Sequence, residues 1–302
     1  MICQHAQIHV FLDYELMRIT VCDDCGLVFM KYLPVQAVGA DLYSNYYKKN
    51  SAGRFSLMVE SVVRFFRWNR ARAIAGVFGR AKSILDIGSG RGFVLYYLKK
   101  YWSYTKAVGI QISEPARYFA RVKLGLDIYD RDFLTIDFAQ GKFEVITMLH
   151  VLEHVQQPEA YVQKIADTLT ADGGFLVEVP NLRAWSRYLA GKYWLSWDPK
   201  YHLTFFNKRT LTALLKKYGF DIRSVNTFSW EYSIFTSAQS LASALTRTEH
   251  IFYRLLQGER FSWSLALVGS VAFVLMLIPS LIINLVLFFS DRGEVLRMVA
   301  RK

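Results

Sequence analysis

Cysteine is nearly missing from this chain. Three in 302 residues, Cys3, Cys22 and Cys25, are too few and odd in number for a disulfide framework, which argues against a secreted scaffold. The opening Met1-Ile2-Cys3-Gln4-His5 lacks the apolar run after a basic start that marks a signal peptide, so the expected compartment is the cytoplasm. There is no internal repeat and no low-complexity tract. No basic run with interleaved aromatics occurs, which speaks against a nucleic-acid partner. Acidic residues are in deficit: 25 Asp and Glu face 37 Lys and Arg, and the net charge of +12 suits an anionic surface or a phosphorylated substrate.

Apolar residues, in contrast, make up 53% of the chain, enough for one large domain with appendages. Between residues 83 and 228, strand-like runs alternate with helical patterns. The runs are Ser83–Ile87, Ala107–Ile112, Asp127–Tyr129, Phe143–Leu149, Gly174–Val179 and Asp221–Phe228. Helices are predicted over Phe93–Tyr101, Pro115–Leu124, Pro158–Leu169 and Lys208–Tyr218, closed at Gly125, Asp172-Gly173-Gly174 and Gly219. Such alternation predicts an α/β fold with a mostly parallel sheet covered on both faces. An earlier helix, Phe55–Phe78, carries Arg64, Arg67, Arg70 and Arg72, either as a solvated face or as a contact for head groups or an anionic substrate.

One turn carries the chemistry. The buried-type strand Ser83–Ile87 runs into Gly88-Ser89-Gly90-Arg91-Gly92 and then into a helix. Glycines let the backbone turn tightly and approach a ligand, and a helix start offers unpaired N–H groups. Nicotinamide and flavin enzymes use a similar turn, but here Asp86 stands two residues before the first glycine, where a carboxylate would repel a pyrophosphate. Asp86-x-Gly88-x-Gly90-x-Gly92 resembles motif I of the class I S-adenosylmethionine-dependent methyltransferases. The resemblance implies a Rossmann-like seven-stranded sheet and S-adenosylmethionine as cofactor. It places Asp86, Gly88, Ser89, Gly90 and Gly92 around the donor's amino-acid part, Gln111 and Ile112 at the ribose, Asp132 and Phe133 at the adenine, and Leu149 at the end of the fourth strand. Gln111 departs from the family, which usually carries an acid there to accept both ribose hydroxyls; an amide is the weaker acceptor.

In this fold the reaction sits at the carboxyl ends of the strands. His150, Glu153 and His154 are spaced i, i+3 and i+4 and share a face if a helical turn begins there. His202, beyond the fifth strand, is positioned to join them. Two chemistries fit: a histidine takes the proton of an acceptor hydroxyl, or the four residues hold a divalent metal that acidifies it. Related methyltransferases with a Glu-x-x-Glu-His motif, including ubiquinone-pathway O-methyltransferases, resemble the metal case, with His150 here replacing the first acid.

Residues 1–35 resemble a zinc-ribbon module, either intact or a degenerate relic without its metal, with a redox pair of cysteines as the other reading. Cys22-x-x-Cys25-Gly26 matches one knuckle, and Cys3 with His5 (or His9) would supply the other ligands of a structural zinc. Residues 54–232 form the cofactor-binding core. Residues 233–292 form an apolar insertion, uncharged from Phe261 to Ser290, with Pro279 expected to divide it and Ser233–Leu256 as an interfacial helix. Residues 293–302 resemble the last, antiparallel strand of the sheet, so the chain must return to the domain it left. Basic residues flank the apolar run on both sides, which fits a monotopic dip from the cytoplasmic face of the inner or plasma membrane. The expected reaction is O-methylation of a lipid-linked or membrane-proximal small molecule or glycan intermediate. The alternatives are a non-catalytic membrane-bound relative and an RNA 2′-O-methyltransferase.

Overall fold

A computed structural model describes residues 7–14, 17–32, 57–79, 81–138, 141–198, 201–256 and 258–302. The strands are β1 (Ile8–Tyr14), β2 (Met17–Cys22), β3 (Val28–Tyr32), β4 (Ser83–Ile87), β5 (Lys106–Ile110), β6 (Asp127–Tyr129), β7 (Phe143–Leu149), β8 (Leu169–Pro180), β9 (Thr204–Phe205), β10 (Asp221–Asn226) and β11 (Val295–Arg301). The helices are α1 (Leu57–Phe78), α2 (Phe93–Trp102), α3 (Glu114–Tyr118), α4 (Pro158–Thr168), α5 (Trp185–Ala190), α6 (Lys208–Lys217), α7 (Ser233–Thr246), α8 (Ile251–Leu256) and α9 (Trp263–Val286).

Seven strands form the central sheet, in the order β10-β11-β8-β7-β4-β5-β6. Those from β8 to β6 pair in parallel, and β11 enters antiparallel between β8 and β10. Successive residues of the buried strands point to opposite faces. Leu85, Ile146 and Val177 therefore meet Ile165 of α4 and Leu211 of α6, while their neighbours Ile84, Val145 and Leu176 meet Ile74 of α1 and Leu95 of α2. Each such aliphatic side chain contributes roughly 1.5–3 kcal/mol by leaving water. The alternation of strands and helices thus yields the two-faced α/β sandwich that it implied.

Three local expectations change. The first concerns Asp172-Gly173-Gly174, which does not close α4. The helix stops at Thr168, Leu169 joins the ladder opposite Phe143, and the next pairing is Gly174 with Val145, so the intervening residues bulge out. Gly174 is instead a packing position, since a Cβ there would lie 2.2 Å from the Phe78 ring. The second concerns Pro279, which does not break the apolar run. It sits inside the continuous helix α9, whose buried residues Gly269, Ala272, Phe273, Ser280 and Asn284 lie along its length and offset the one hydrogen bond that proline forfeits. The third concerns Ser233–Leu256, which is two helices; α7 turns Ser233, Ser237, Ser240 and Ser243 inward, and Asn284 donates to Ser237 Oγ at 3.0 Å. The small, hydroxyl-rich face suits close helix contact better than a lipid interface.

After α9 the chain does return to the sheet. Asn181 fixes the way back: its Nδ2 donates to the carbonyls of Asp291 and Gly293 at 3.0 and 2.7 Å, and its backbone N–H donates to Glu294 O at 3.0 Å. A second sheet, β1-β2-β3-β9, joins the amino-terminal strands to Thr204–Phe205 of the core.

Glu294, just before β11, is buried and accepts from Ser186 Oγ at 2.7 Å. Burial pushes its pKa up from 4.5 to about 7. The folded state therefore holds this proton more tightly than the unfolded chain; the stability it contributes is complete below about 4.5 and is lost as pH rises through about 7. Glu294→Gln is expected to flatten the fall in thermal midpoint across that window. An unchanged pH profile would place the titration elsewhere.

Candidate active site

β4 ends at Ile87 and turns through Gly88, Gly90 and Gly92, whose φ angles are +79°, +55° and +78°. The backbone N–H groups of Gly88 and Ser89 donate to Ile110 O at 2.9 and 3.0 Å, which ties the loop to β5. The three glycines have different surroundings. A Cβ on Gly88 would lie 2.3 Å from Val151 Cγ2, and one on Gly92 would lie 2.5 Å from Leu126 Cδ1. At Gly90 the nearest atom is Gln111 Nε2, 4.0 Å away. Gly88 and Gly92 permit packing, whereas Gly90 leaves the backbone open to a ligand.

Asp86 is buried and accepts from Thr147 Oγ1 at 2.7 Å; desolvation raises its pKa to about 6 against the pull of Thr147, Arg70 and Arg67. Gln111, also buried, accepts from Ser113 N at 3.0 Å through Oε1, so its Nε2 donor is the end turned toward the loop. The amide therefore presents a donor where the family usually presents a double acceptor. Ile112 is exposed. Asp132 accepts from Leu134 N at 2.8 Å and from the Tyr161 hydroxyl at 2.5 Å, and caps a short turn. Phe133 is buried against Phe138 and Tyr161. Leu149 ends β7 half-buried.

The carboxyl end of β7 separates the expected foursome into two groups. His150 has a φ of +54°, and it lies outside the short helical turn Leu152–His154. Its backbone N–H and its ring are both drawn to Glu178: N to the carbonyl at 2.7 Å and Nε2 to Oε1 at 2.9 Å. Its ring also packs on Tyr232, with centroids 4.1 Å apart, and Nδ1 lies 3.5 Å from Glu153 Oε1. Burial disfavours its charge, but Tyr232, Glu153 and Glu178 carry its pKa up to about 10, so it is an imidazolium at neutral pH.

Glu153, His154 and His202 form the second group, with ligand-capable atoms all within 4.8 Å of one another. Among the described residues this is the one such grouping. The Nδ1 atoms of His154 and His202 meet the carbonyls of Tyr201 and Ser196, both at 2.9 Å. A carbonyl only accepts, so each Nδ1 carries the proton and each Nε2 offers a lone pair. Burial lowers both histidine pKa values, which keeps the rings neutral. Glu153 is 1% exposed, and neither carboxylate oxygen has a hydrogen-bond partner. Burial opposes its ionised form, yet the charged His150 ring, 3.5 Å away, holds its pKa below the usual value. Two imidazoles and a buried carboxylate whose ligand-capable atoms lie this close together make a donor set that fits a divalent cation.

Sequence reasoning missed the hub beside this group. Glu178 is 0% exposed and accepts from Arg297 Nε at 2.5 Å, Arg70 Nη2 at 3.3 Å and His150. Burial disfavours its charge, but Arg297, Arg70 and His150 hold its pKa well below the carboxylate range. Arg70 also reaches Glu231 at 2.9 Å and lies over the Tyr232 ring, and Arg67 reaches Glu231 at 3.1 Å. These two arginines of α1 therefore reach toward the site, Arg70 nearly buried and Arg67 partly exposed. The available signal was an acid inside the apolar run Phe175-Leu176-Val177-Glu178-Val179.

In the amino-terminal sheet, Cys22 is buried and Cys25 half-buried, on a turn closed by Gly26 N to Cys22 O at 2.8 Å. His9 Nδ1 lies 2.6 Å from Asp23 Oδ1. Cys3 and His5 lie outside the described residues.

A sheet of this order, with a glycine turn after its central strand and polar side chains at the carboxyl ends, defines a Rossmann-like α/β protein with its site at the carboxyl edge of the strands. A family model described as a methyltransferase domain matches residues 53–225, more than half of the chain, and the chain belongs to that family. Its fold is that of the class I S-adenosylmethionine-dependent methyltransferases, and S-adenosylmethionine is the cofactor expected for the family. It is similar to the ubiquinone biosynthesis O-methyltransferases of Idiomarina loihiensis, 28% identical over 134 residues, and Actinobacillus pleuropneumoniae, 33% identical over 139. Each match takes in 41% of this chain, which spans only 54% and 57% of those relatives. Among solved structures, the fold is shared with a SAM-dependent methyltransferase from Archaeoglobus fulgidus (TM-score 0.50, 18% identity, covering 79% of this chain and 94% of that one). It is also shared with the cyclase SpnF (TM-score 0.51, 16% identity, covering 78% and 80%).

The separate surroundings of the glycines can be tested. Gly90→Ala is expected to cost on the order of 1 kcal/mol of stability for the left-handed backbone, yet to weaken S-adenosylmethionine binding measured by calorimetry. Gly88→Ala is expected to lower the thermal midpoint further, because Val151 must move. Equal binding by Gly90→Ala and the parent protein would show that the cofactor does not approach this backbone.

Proposed function

We propose that the chain methylates a hydroxyl group on a lipid-linked or membrane-proximal small molecule or glycan intermediate. The observation that carries this reading is the Glu153–His154–His202 grouping, one short turn from Val151, the residue against which the cofactor loop packs. Asp86, Gly88, Ser89, Gly90, Gly92, Gln111, Ile112, Asp132, Phe133 and Leu149 are the proposed donor-binding positions. Bound S-adenosylmethionine supplies an electrophilic methyl group. Glu153 and the Nε2 atoms of His154 and His202 are the atoms that would hold a divalent cation, which lowers the pKa of a hydroxyl bound to it. Without an ion, the same neutral imidazoles offer Nε2 to the hydroxyl proton. His150 keeps its own proton, so its part is to hold positive charge beside Glu178 rather than to act as base. A structural zinc on Cys22 and Cys25, completed by Cys3 and His5, belongs to the same reading.

The membrane side of the proposal rests on α9. It is long and apolar enough to cross a membrane, and its face bearing Val271, Val274, Leu275, Ile278 and Ile282 is exposed, followed by Phe289 at 97% exposure. Arg254, Arg260 and Arg292 flank it and suit anionic head groups. Peripheral or monotopic attachment on the cytoplasmic face keeps both flanks on one side. The relatives' role in ubiquinone biosynthesis makes a hydroxylated ring with an apolar tail the first acceptor to try.

His154→Ala and His202→Ala are each expected to reduce transfer of labelled methyl to lipid-extract acceptors about 100-fold. Full activity in both would remove these residues from the mechanism. A chelator is expected to abolish transfer by the parent protein, with metal analysis reading the ion content; activity that resists chelation would leave the histidines as bases alone. Ile278→Glu combined with Val274→Glu is expected to prevent sedimentation with anionic vesicles while S-adenosylmethionine binding persists. Sedimentation equal to the parent's would remove α9 from membrane contact.

A further inference from the structure

We propose that the amino-terminal β-module is a positioning element of the active site, and that Met30 of β3 sets His202 against Glu153 and His154. The inference rests on the reading of those three residues as the chemical centre.

Two routes lead from the module to His202. The first is a backbone relay: Met30 N donates to Leu203 O at 2.9 Å, and Leu203 N donates to Glu153 O at 2.7 Å. Leu203, the neighbour of His202, is thus clamped between the module and the turn that carries Glu153 and His154. The pairing continues into β9, with Val28 opposite Phe205 and Phe29 opposite Thr204. The second route is through side chains. Ile19, Val28 and Met30 are buried in one cluster with Trp194, Trp197 and Phe205. Trp197 of that cluster ends the turn Leu195–Trp197, whose Ser196 carbonyl receives the His202 Nδ1 proton. The module therefore holds both the backbone next to His202 and the acceptor that fixes its tautomer.

The local turn does not by itself aim His202 at Glu153. Asp198 O receives the backbone N–H of both Tyr201 and His202, which makes a local turn but sets no direction toward Glu153. Direction comes from the strand pairing, because a ladder fixes where each residue stands along its neighbour. Outer contacts that orient a ligand commonly change metal affinity about 10–100-fold when lost.

Met30→Pro in the full-length protein tests the relay, since proline has no N–H to give to Leu203. Met30→Ala, which keeps the N–H, separates the relay from lost packing. Calorimetry with Mn²⁺ is expected to show binding weakened at least tenfold in Met30→Pro and less in Met30→Ala, with S-adenosylmethionine affinity unchanged in both. In the Met30→Pro/His202→Ala double variant the two losses are expected not to add, because both act through one ligand. Additive losses, or Met30→Pro binding Mn²⁺ as tightly as the parent, would overturn the proposal. If the parent protein binds no Mn²⁺, the metal reading fails but the clamp is still read by nitrogen NMR of the histidine rings. The His202 signal of the Nδ1-protonated tautomer is then expected to be sharp in the parent and averaged in Met30→Pro; equal signals would overturn the clamp.

Discussion

Glu178 keeps its charge with no exposure to solvent, and much of the molecule is arranged so that it can. An unpaired carboxylate at that depth is strongly disfavoured, and removing one partner of such a group typically costs about 3–5 kcal/mol. Its partners come from three separate places: Arg70 from α1, His150 from the end of β7 and Arg297 from β11. Arg297 stands directly opposite Glu178 in the β8–β11 ladder. Closing the sheet and assembling the charged floor of the active site are therefore one event. Arg70 extends the network to Glu231 and Tyr232, which immediately precede α7, so the apolar insertion is anchored in the site at its first residues.

The same network explains why the polar residues after β7 divide as they do. Spacing put His150, Glu153 and His154 on one helical face. Glu178 competes for His150 and wins, because two hydrogen bonds, one of them also an ion pair, outweigh the cost of a left-handed backbone at a non-glycine residue. Glu153 and His154 remain, and His202 completes their grouping from beyond β8. One imidazole is held charged and two are held neutral within a short distance, which is how a fold sets different parts for like residues.

The cofactor side shows a similar division. Gly88 and Gly92 belong to packing, and Gly90 belongs to the ligand. Gln111 uses its acceptor within the protein and turns its donor outward. The methyltransferase fold supports many chemistries, so the acceptor must be argued from the site and from the surface around it.

Much of this was legible without coordinates. The strand and helix periods, the Asp86–Gly92 turn and the antiparallel last strand depend on local geometry and on which residues leave water, and both are written in residue order. The identity of the cofactor followed from one turn and the acid before it. Residue order did not carry the fate of Pro279, the bulge after Leu169, the inward face of α1 or the Glu178 hub. Each of these is settled by a partner more than a hundred residues away, or by packing that outweighs a local preference. The cluster of Glu153 and His154 with His202 lies between these cases: the residue types and the chemistry open to them could be named in advance, but their separation from His150 could not. The sequence by itself determined the sheet, the turn and the donor; the tertiary structure decided which charges are buried together, because a charge chooses its partner by distance in space and by the absence of water between them.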